Sequence, residues 1–220
     1  MVMSDLNVLN ADNTLRTLAQ KYGSDKAGGP SCPAYERYLG GLRRTAINFL
    51  EIGVGGYDDP KAGGASVRMW KEYFAQGNIY AIDLYDKSFH EEHRIKIYRG
   101  SQDDRAFLKS VAQEIGRLDV ILDDGSHVSS HIIITFEVLF PLLMPGGVYI
   151  VEDVATSYFE DYGGSHDLSA THTAMAYFKR LADGINYEHY RMPYSPTYYD
   201  INTEFVHFYR NFIVIQKKPV

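Results

Sequence analysis

The chain has 220 residues, 45% of them hydrophobic and 23% charged, with a formal net charge of −6. That composition excludes global disorder and offers no clustered basic face to a nucleic-acid partner. The single cysteine, Cys32, excludes an intrachain disulfide and fits a reducing, cytoplasmic setting. The start, Met1-Val2-Met3-Ser4-Asp5, lacks the basic-then-apolar pattern of an export signal. No apolar run reaches the ~18 residues that a membrane-spanning helix needs, so no membrane span is expected.

In chain order, residues 11–22 form the first expected helix, with Leu15, Leu18, Ala19 and Tyr22 at helical spacing. A Gly/Ser/Pro-rich loop over 23–33 leads to a second short helix over 34–43. The apolar run Ile47–Ile52 then ends in a glycine-rich loop, Gly53 to Gly64, and a helix is expected over 66–75. Strands are expected at 79–82, 95–98 and 120–122, separated by a short helical piece at 88–93 and a helix over 105–115. A helix over 128–143, stopped by Pro145-Gly146-Gly147, precedes a strand at 148–151. After a helix over 171–183 come apolar runs at 187–190, 204–209 and 212–217, the last two joined by Arg210-Asn211 as a tight turn.

Strands that alternate with helices at this spacing imply βαβ units and a parallel sheet, and their continuous apolarity implies helices on both faces. The expected fold is a single Rossmann-like α/β domain over residues 1–220. It has a helical N-terminal extension or lid over 1–45 and a core over 46–217. The sheet is mostly parallel and seven-stranded, with a closing antiparallel hairpin.

Chemistry-bearing residues collect at the ends of the strands. The segment Phe49-Leu50-Glu51-Ile52-Gly53-Val54-Gly55-Gly56 places a glycine turn directly after the first strand, where backbone can approach a ligand closely. Asp58 breaks the G-x-G-x-x-G spacing of dinucleotide sites, which disfavours NAD. Asp83 ends the second strand, where a carboxylate can accept hydrogen bonds from two ribose hydroxyls. Ser101-Gln102-Asp103 follows the third strand, in position to read an adenine edge. Any one of these residues could simply terminate a strand; the set in this order points to a nucleoside cofactor.

Asp123-Asp124-Gly125-Ser126-His127 ends the fourth strand and Glu152-Asp153 the fifth. Neighbouring parallel strands put their carboxyl ends on one edge, so Asp124, Glu152 and Asp153 can converge. Three carboxylates repel one another unless a cation joins them, and all-oxygen donors suit Mg2+ (or Mn2+) better than zinc. Alternatively, individual members cap the next helix or pair with Lys or Arg. His127, three residues past Asp124, has an ordinary pKa of ~6.5 that suits a general base at neutral pH. His127 and His131 stand four apart as in zinc sites, but no third soft ligand accompanies them.

The strings LEIGVGG, GGASVRMW, AIDLYD, DDGSH, LFPLLMPGGVYIVED and TSYF resemble the magnesium-dependent sugar O-methyltransferases. That family includes macrolide deoxysugar and bacterial rhamnosyl enzymes, and the similarity runs over residues 14–215. Without an added domain, the chain's length is similar to that of mycobacterial polysaccharide O-methyltransferases. The resemblance implies a class I methyltransferase fold and S-adenosylmethionine as methyl donor, leaving S-adenosylhomocysteine. It also implies Asp124, Glu152 and Asp153 as metal ligands and His127 as the base. Tyr22, within the string Lys21-Tyr22-Gly23-Ser24-Asp25-Lys26, would line the cofactor site with Glu51, Gly53, Gly55, Ser66, Asp83, Gln102 and Asp123. Ser66 would meet the methionine carboxylate. Ser101 departs from the family, which has an acidic residue before Gln102.

The expected acceptor is a saccharide or glycoside, the expected assembly a homo-oligomer, and the location cytoplasmic. A catechol-type enzyme would share cofactor and metal. An iron oxygenase could draw on His127, His131 and Asp124 but would leave Glu152 and Asp153 without purpose. A non-catalytic binding relative would have no use for base and acids together. The tyrosines over 187–199 and the loop over 158–169 are candidates for the acceptor surface, with ordinary packing as the alternative.

Overall fold

The computed structural model describes residues 14–28 and 31–220. The start of the first expected helix, part of the loop over 23–33 and the opening positions 1–5 lie outside the described residues.

Seven strands form one sheet: β1 (Asn48–Ile52), β2 (Asn78–Asp83), β3 (Ile95–Arg99), β4 (Leu118–Asp123), β5 (Leu143–Glu152), β6 (Thr203–Tyr209) and β7 (Phe212–Lys217). Their order is β3-β2-β1-β4-β5-β7-β6. The first five run parallel, while β7 pairs antiparallel with both β5 and β6. Direction along the sheet reverses between β1 and β4, and open α/β sheets take their ligands at such a switch point, beyond the carboxyl ends.

The helices are α1 (Leu15–Tyr22), α2 (Ser31–Leu39), α3 (Ala65–Tyr73), α4 (Arg105–Ile115), α5 (Ser129–Leu139), α6 (Ala174–Gly184) and α7 (Tyr198–Asn202). Strand residues alternate faces, so β1 sends Phe49 to one core and Leu50 to the other. On the first face α1, α2 and α3 bury Leu15, Leu18, Tyr35 and Trp70. Tyr35 meets Trp70 edge-on at 5.1 Å between ring centroids. The N-terminal helices are therefore built into the core rather than laid over it as a flap. On the second face α4, α5 and α6 contribute Leu108, Phe136 and Phe178, with Phe136 stacked on Phe140.

Several boundaries differ from the sequence reading. The second helix begins at Ser31, with Pro33 tolerated in its first turn, and gives way to a 3-10 turn at Gly40–Leu42. The helix expected over 128–143 ends at Leu139, because Pro141 cannot donate to a continuing ladder and sits in a 3-10 turn instead. Pro145-Gly146-Gly147 does not stop a helix. Leu143 already pairs with Leu118, the register resumes at Val148 opposite Val120, and the residues between bulge outward. The run 187–190 is a 3-10 turn at Tyr187–His189 rather than a strand. Helix α7 was missed; a reciprocal Thr197–Asp200 capping box starts it.

Candidate active site

Gly53 follows β1 at the switch point with φ +94, and a Cβ there would overlap the backbone carbonyl of Asp124. Glycine thus lets the ends of β1 and β4 cross closely, which sets the floor of the site. Gly55 (φ +79) continues the turn, and the peptide N–H of Val54 donates to Asp83 Oδ2 at 2.9 Å. Asp83 Oδ1 accepts from Tyr85 N–H at 2.9 Å. Each oxygen therefore has one backbone donor and one remaining acceptor site, the arrangement a ribose diol needs.

Other expected cofactor residues point into the protein. Glu51 is fully buried; its Oε2 accepts from Ser66 Oγ at 2.8 Å and its Oε1 from Trp70 Nε1 at 3.3 Å. Burial pushes this carboxyl up to about 8. Ser66 is thereby committed to Glu51. Gln102 is buried and spans three groups: its amide N–H donates to Asp123 Oδ1 and Thr135 Oγ1, both at 3.1 Å, and its Oε1 accepts from Ser126 N–H at 2.6 Å. It braces the loop after β4 from below instead of presenting an edge for adenine. Asp123 is buried beside it, pushed up to about 7 by desolvation, with the Tyr149 hydroxyl facing it. Tyr22 lies at the end of α1 and donates to Glu72 on the last turn of α3.

At the ends of β4 and β5 the acids do converge. Asp124, His127 and Asp153 each offer one ligand atom, all within 4.8 Å of one another. His127 Nε2 lies 3.7 Å from Asp153 Oδ2. Among the described residues, five non-glycine positions have positive φ, and His127 (φ 58), Asp153 (φ 53) and Asn211 (φ 61) are three of them. Such backbone is sparsely populated and clusters where side-chain aim matters more than local comfort. The Thr156 hydroxyl bonds the carbonyls of His127 and Asp153 at 2.8 and 2.9 Å, tying the two loops together. Asn211, in the β6–β7 turn, donates to Asp153 Oδ1 and accepts from Ala155 N–H at 2.7 Å.

Glu152 is held differently. Its Oε1 accepts from the Tyr35 hydroxyl and its Oε2 from Lys26 Nζ at 2.9 Å. Lys26 Nζ also donates to Asp124 Oδ2 at 2.6 Å and lies 3.8 Å from Glu51 Oε1 and 4.0 Å from Asp25 Oδ1. Burial disfavours its charge, yet Asp124, Glu152, Glu51 and Asp25 outweigh that and hold the ammonium well above its ordinary value. Burial raises the Glu152 carboxyl, opposed by Lys26. Burial also lowers the His127 imidazole, opposed by Asp153 and Glu152. Lys26 and Tyr35 carried no role in the sequence reading. Only the Lys21–Lys26 string marked the region, because the acids they bond lie far along the chain, 98 and 126 residues from Lys26 and 117 from Tyr35.

His131 turns away: its Nδ1 is 3.0 Å from Ser126 Oγ and its Nε2 3.6 Å from Asp103 Oδ2. Among the described residues His131 thus forms no zinc pair with His127 and no triad of two histidines and a carboxylate. The set that does assemble is two partly open carboxylates, Asp124 and Asp153, with the His127 imidazole as third member; the carboxylates suit a hard divalent cation, and Glu152 is linked to Asp124 through Lys26.

A seven-stranded sheet in this order, with the last strand pair antiparallel and the acids at the carboxyl edge, is the class I methyltransferase fold. The solved MycE methyltransferase from the mycinamycin biosynthetic pathway, in complex with Mg and SAH, superposes with a TM-score of 0.91 at 37% identity, over 95% of this chain and 55% of that one. Its complex with Mg, SAH and mycinamycin VI gives 0.89 at 38% identity, over 94% and 54%. In sequence, the chain is 43% identical over 209 residues to the 8-demethyl-8-alpha-L-rhamnosyl tetracenomycin-C 2'-O-methyltransferase of Streptomyces olivaceus, covering 93% of this chain and 54% of the relative. It is 39% identical over 210 residues to the mycinamicin VI 2''-O-methyltransferase of Micromonospora griseorubida, covering 92% and 52%. The chain is thus similar in sequence and fold to these named O-methyltransferases of Streptomyces and Micromonospora, and it spans about half the length of the curated relatives it matches. No protein-family profile matches it.

Proposed function

We propose that the chain is an S-adenosylmethionine- and Mg2+-dependent O-methyltransferase that acts on a hydroxyl of a sugar or glycoside. The observation that carries this reading is the Asp124–His127–Asp153 cluster beside the switch point of the sheet. Its support from outside the chain is homology to enzymes named for rhamnosyl and macrolide O-methylation. On this reading one domain binds both cofactor and acceptor, works in the cytoplasm and self-associates. Equilibrium sedimentation reads the last point, and a monomer mass would remove it.

The cofactor would lie over Gly53 and Gly55, with its ribose diol on the open acceptor sites of Asp83. Asp124 and Asp153 would hold the metal, with Glu152 completing the set, and a cation there would supply Lewis acidity to make an acceptor hydroxyl more acidic. His127 takes the proton at Nε2. Burial keeps its imidazole neutral at pH 7, so the ring is an acceptor when the substrate arrives. Asp153, 3.7 Å away, then stabilises the imidazolium that forms. Thr156 and Asn211 fix the loops that carry these two groups, so the oxygen can be aligned with the sulfonium methyl at a near-attack distance of ~3 Å.

The test is methyl transfer from labelled S-adenosylmethionine to rhamnosides, mannosides, macrolide glycosides and catechols, each with Mg2+ and with EDTA. Transfer to a saccharide that EDTA abolishes is the expected result. Transfer that survives EDTA would overturn the metal requirement, and transfer to catechols alone would move the enzyme to the aromatic-diol class.

A further inference from the structure

The acid cluster has a resident that methyl transfer does not use. Lys26 is 3% exposed and makes two short bonds, to Asp124 on β4 and Glu152 on β5. Glu51, further off, is already served by Ser66 and Trp70. Asp124 therefore belongs both to the lysine pair and to the cluster with His127 and Asp153. Lys26 thus faces Asp124, Glu152, Glu51 and Asp25 with one positive charge, and Asp153 stands just beyond, which leaves the cluster acidic.

We propose that Lys26 is a positioning residue: a built-in counter-cation that holds Asp124 and Glu152 side by side before metal arrives and limits how tightly metal then binds. This rests on the metal-centre reading above. Two carboxylates on neighbouring strands repel in a partly desolvated site, and an ammonium between them removes that repulsion. The same ammonium repels an incoming dication, so the site stays open to exchange. Its placement is enforced by the chain. The Ser24 side chain caps the 3-10 turn Asp25–Ala27 that carries it, and the Cys32 thiol donates to the Lys26 carbonyl at 2.9 Å. Tyr35 grips the other oxygen of Glu152, which keeps that carboxylate aimed whether metal or lysine balances it.

The test is Mg2+ and Mn2+ titration of the metal-free chain by calorimetry and Mn2+ spin resonance, with thermal melts alongside. Wild type, Lys26→Met and Lys26→Arg are compared. Lys26→Met should bind metal about tenfold or more tighter than wild type, because one repelling charge is gone. Its metal-free form should melt about 5 °C or more lower, and Mg2+ should restore more of that loss than it adds to wild type. Lys26→Arg should bind as wild type does. Equal or weaker metal binding by Lys26→Met overturns the proposal. If that variant does not fold, Lys26→Gln, which keeps a neutral donor on a shorter side chain, replaces it with Mg2+ present from lysis onward. Failure of both to fold with metal present also overturns it, since the metal then does not replace the ammonium. A wild-type chain that binds neither metal would sink the metal centre itself, whereas metal binding that ignores Lys26 would sink only the role of Lys26.

Discussion

His127 is held in a left-handed backbone conformation that a histidine adopts at a cost of roughly 1–3 kcal/mol. Substitution His127→Ala keeps the floor of the site and removes the proton acceptor, so turnover should fall about 100-fold or more while the dissociation constant for S-adenosylhomocysteine stays within a factor of two or so. Comparable turnover would take His127 out of the role. The pH dependence has a fixed sign. Burial lowers the imidazole, only the neutral ring accepts a proton, and kcat/KM should therefore hold down to about the ordinary histidine range near 6.5 and fall below it. Gly53 makes a sterner demand. Gly53→Ala places a Cβ on the Asp124 carbonyl at a positive φ, and should destabilise the fold by about 2 kcal/mol or more in urea melts. Glu51 gives a stability signature: its folded carboxyl, near 8, lies above the unfolded value of about 4.3, so the folded state holds the extra proton. Its contribution is full below that unfolded value and is lost as pH rises toward 8; Glu51→Gln should flatten that slope in thermal melts. At this scale the closeness of Asp124 and His127 was legible from a D-D-x-x-H string at one strand end, and that of Asp153 from its place at the end of the neighbouring strand. Gln102 and Ser66 were read outward and turn inward, since only the packed protein shows that Asp123, Ser126 and Glu51 already use them.

Helix α7 shows what one short element does for its surroundings. Its five residues start from the Thr197–Asp200 box, and Tyr199 from the same helix packs on Phe136 and donates to the Glu137 carbonyl at 3.0 Å. Thr197→Ala should lower stability by about 1 kcal/mol, with turnover unchanged because the helix touches none of the acids at the ends of β4 and β5. A loss of turnover larger than the loss of folded protein would show that the helix reaches the acceptor. The element escaped the sequence reading because Tyr194, Tyr198 and Tyr199 match no single period, and the capping box is decisive only once Asp200 is seen to be buried. Strand β5 misled in the opposite sense. Pro145-Gly146-Gly147 has the composition of a stop signal, but Met144 to Gly147 bulge out of a strand that has already paired at Leu143. The other parallel strands were legible within a residue or two, because fully buried runs such as Val120-Ile121-Leu122 allow no exposed face.

At the scale of the whole molecule, the two core layers meet the sheet from opposite sides and leave its carboxyl edge open at the switch point. A ligand that binds only this folded edge must raise the melting temperature. S-adenosylhomocysteine at 100 times its dissociation constant should add about 2.7 kcal/mol, or roughly 5–10 °C for a chain of this size, and Mg2+ should add to that shift. No shift with either would place the cofactor elsewhere. The overall architecture was readable from the alternation of strand and helix, whereas the way both ends of the sequence return to the acids was not, because long-range pairing leaves no periodic trace.

That return has a consequence for how the protein is made. Lys26 reaches Asp124 and Glu152, and Asn211 reaches Asp153. A ribosome delivers residue 26 long before residue 211, so the acids emerge with one partner waiting and the other still to be synthesised. The β6–β7 turn is the last of these pieces to be made, and Asp153 has its Asn211 donor only after that. A nascent chain that stops before the hairpin carries Asp124, His127, Glu152 and Asp153, yet lacks the Asn211 contact that holds Asp153.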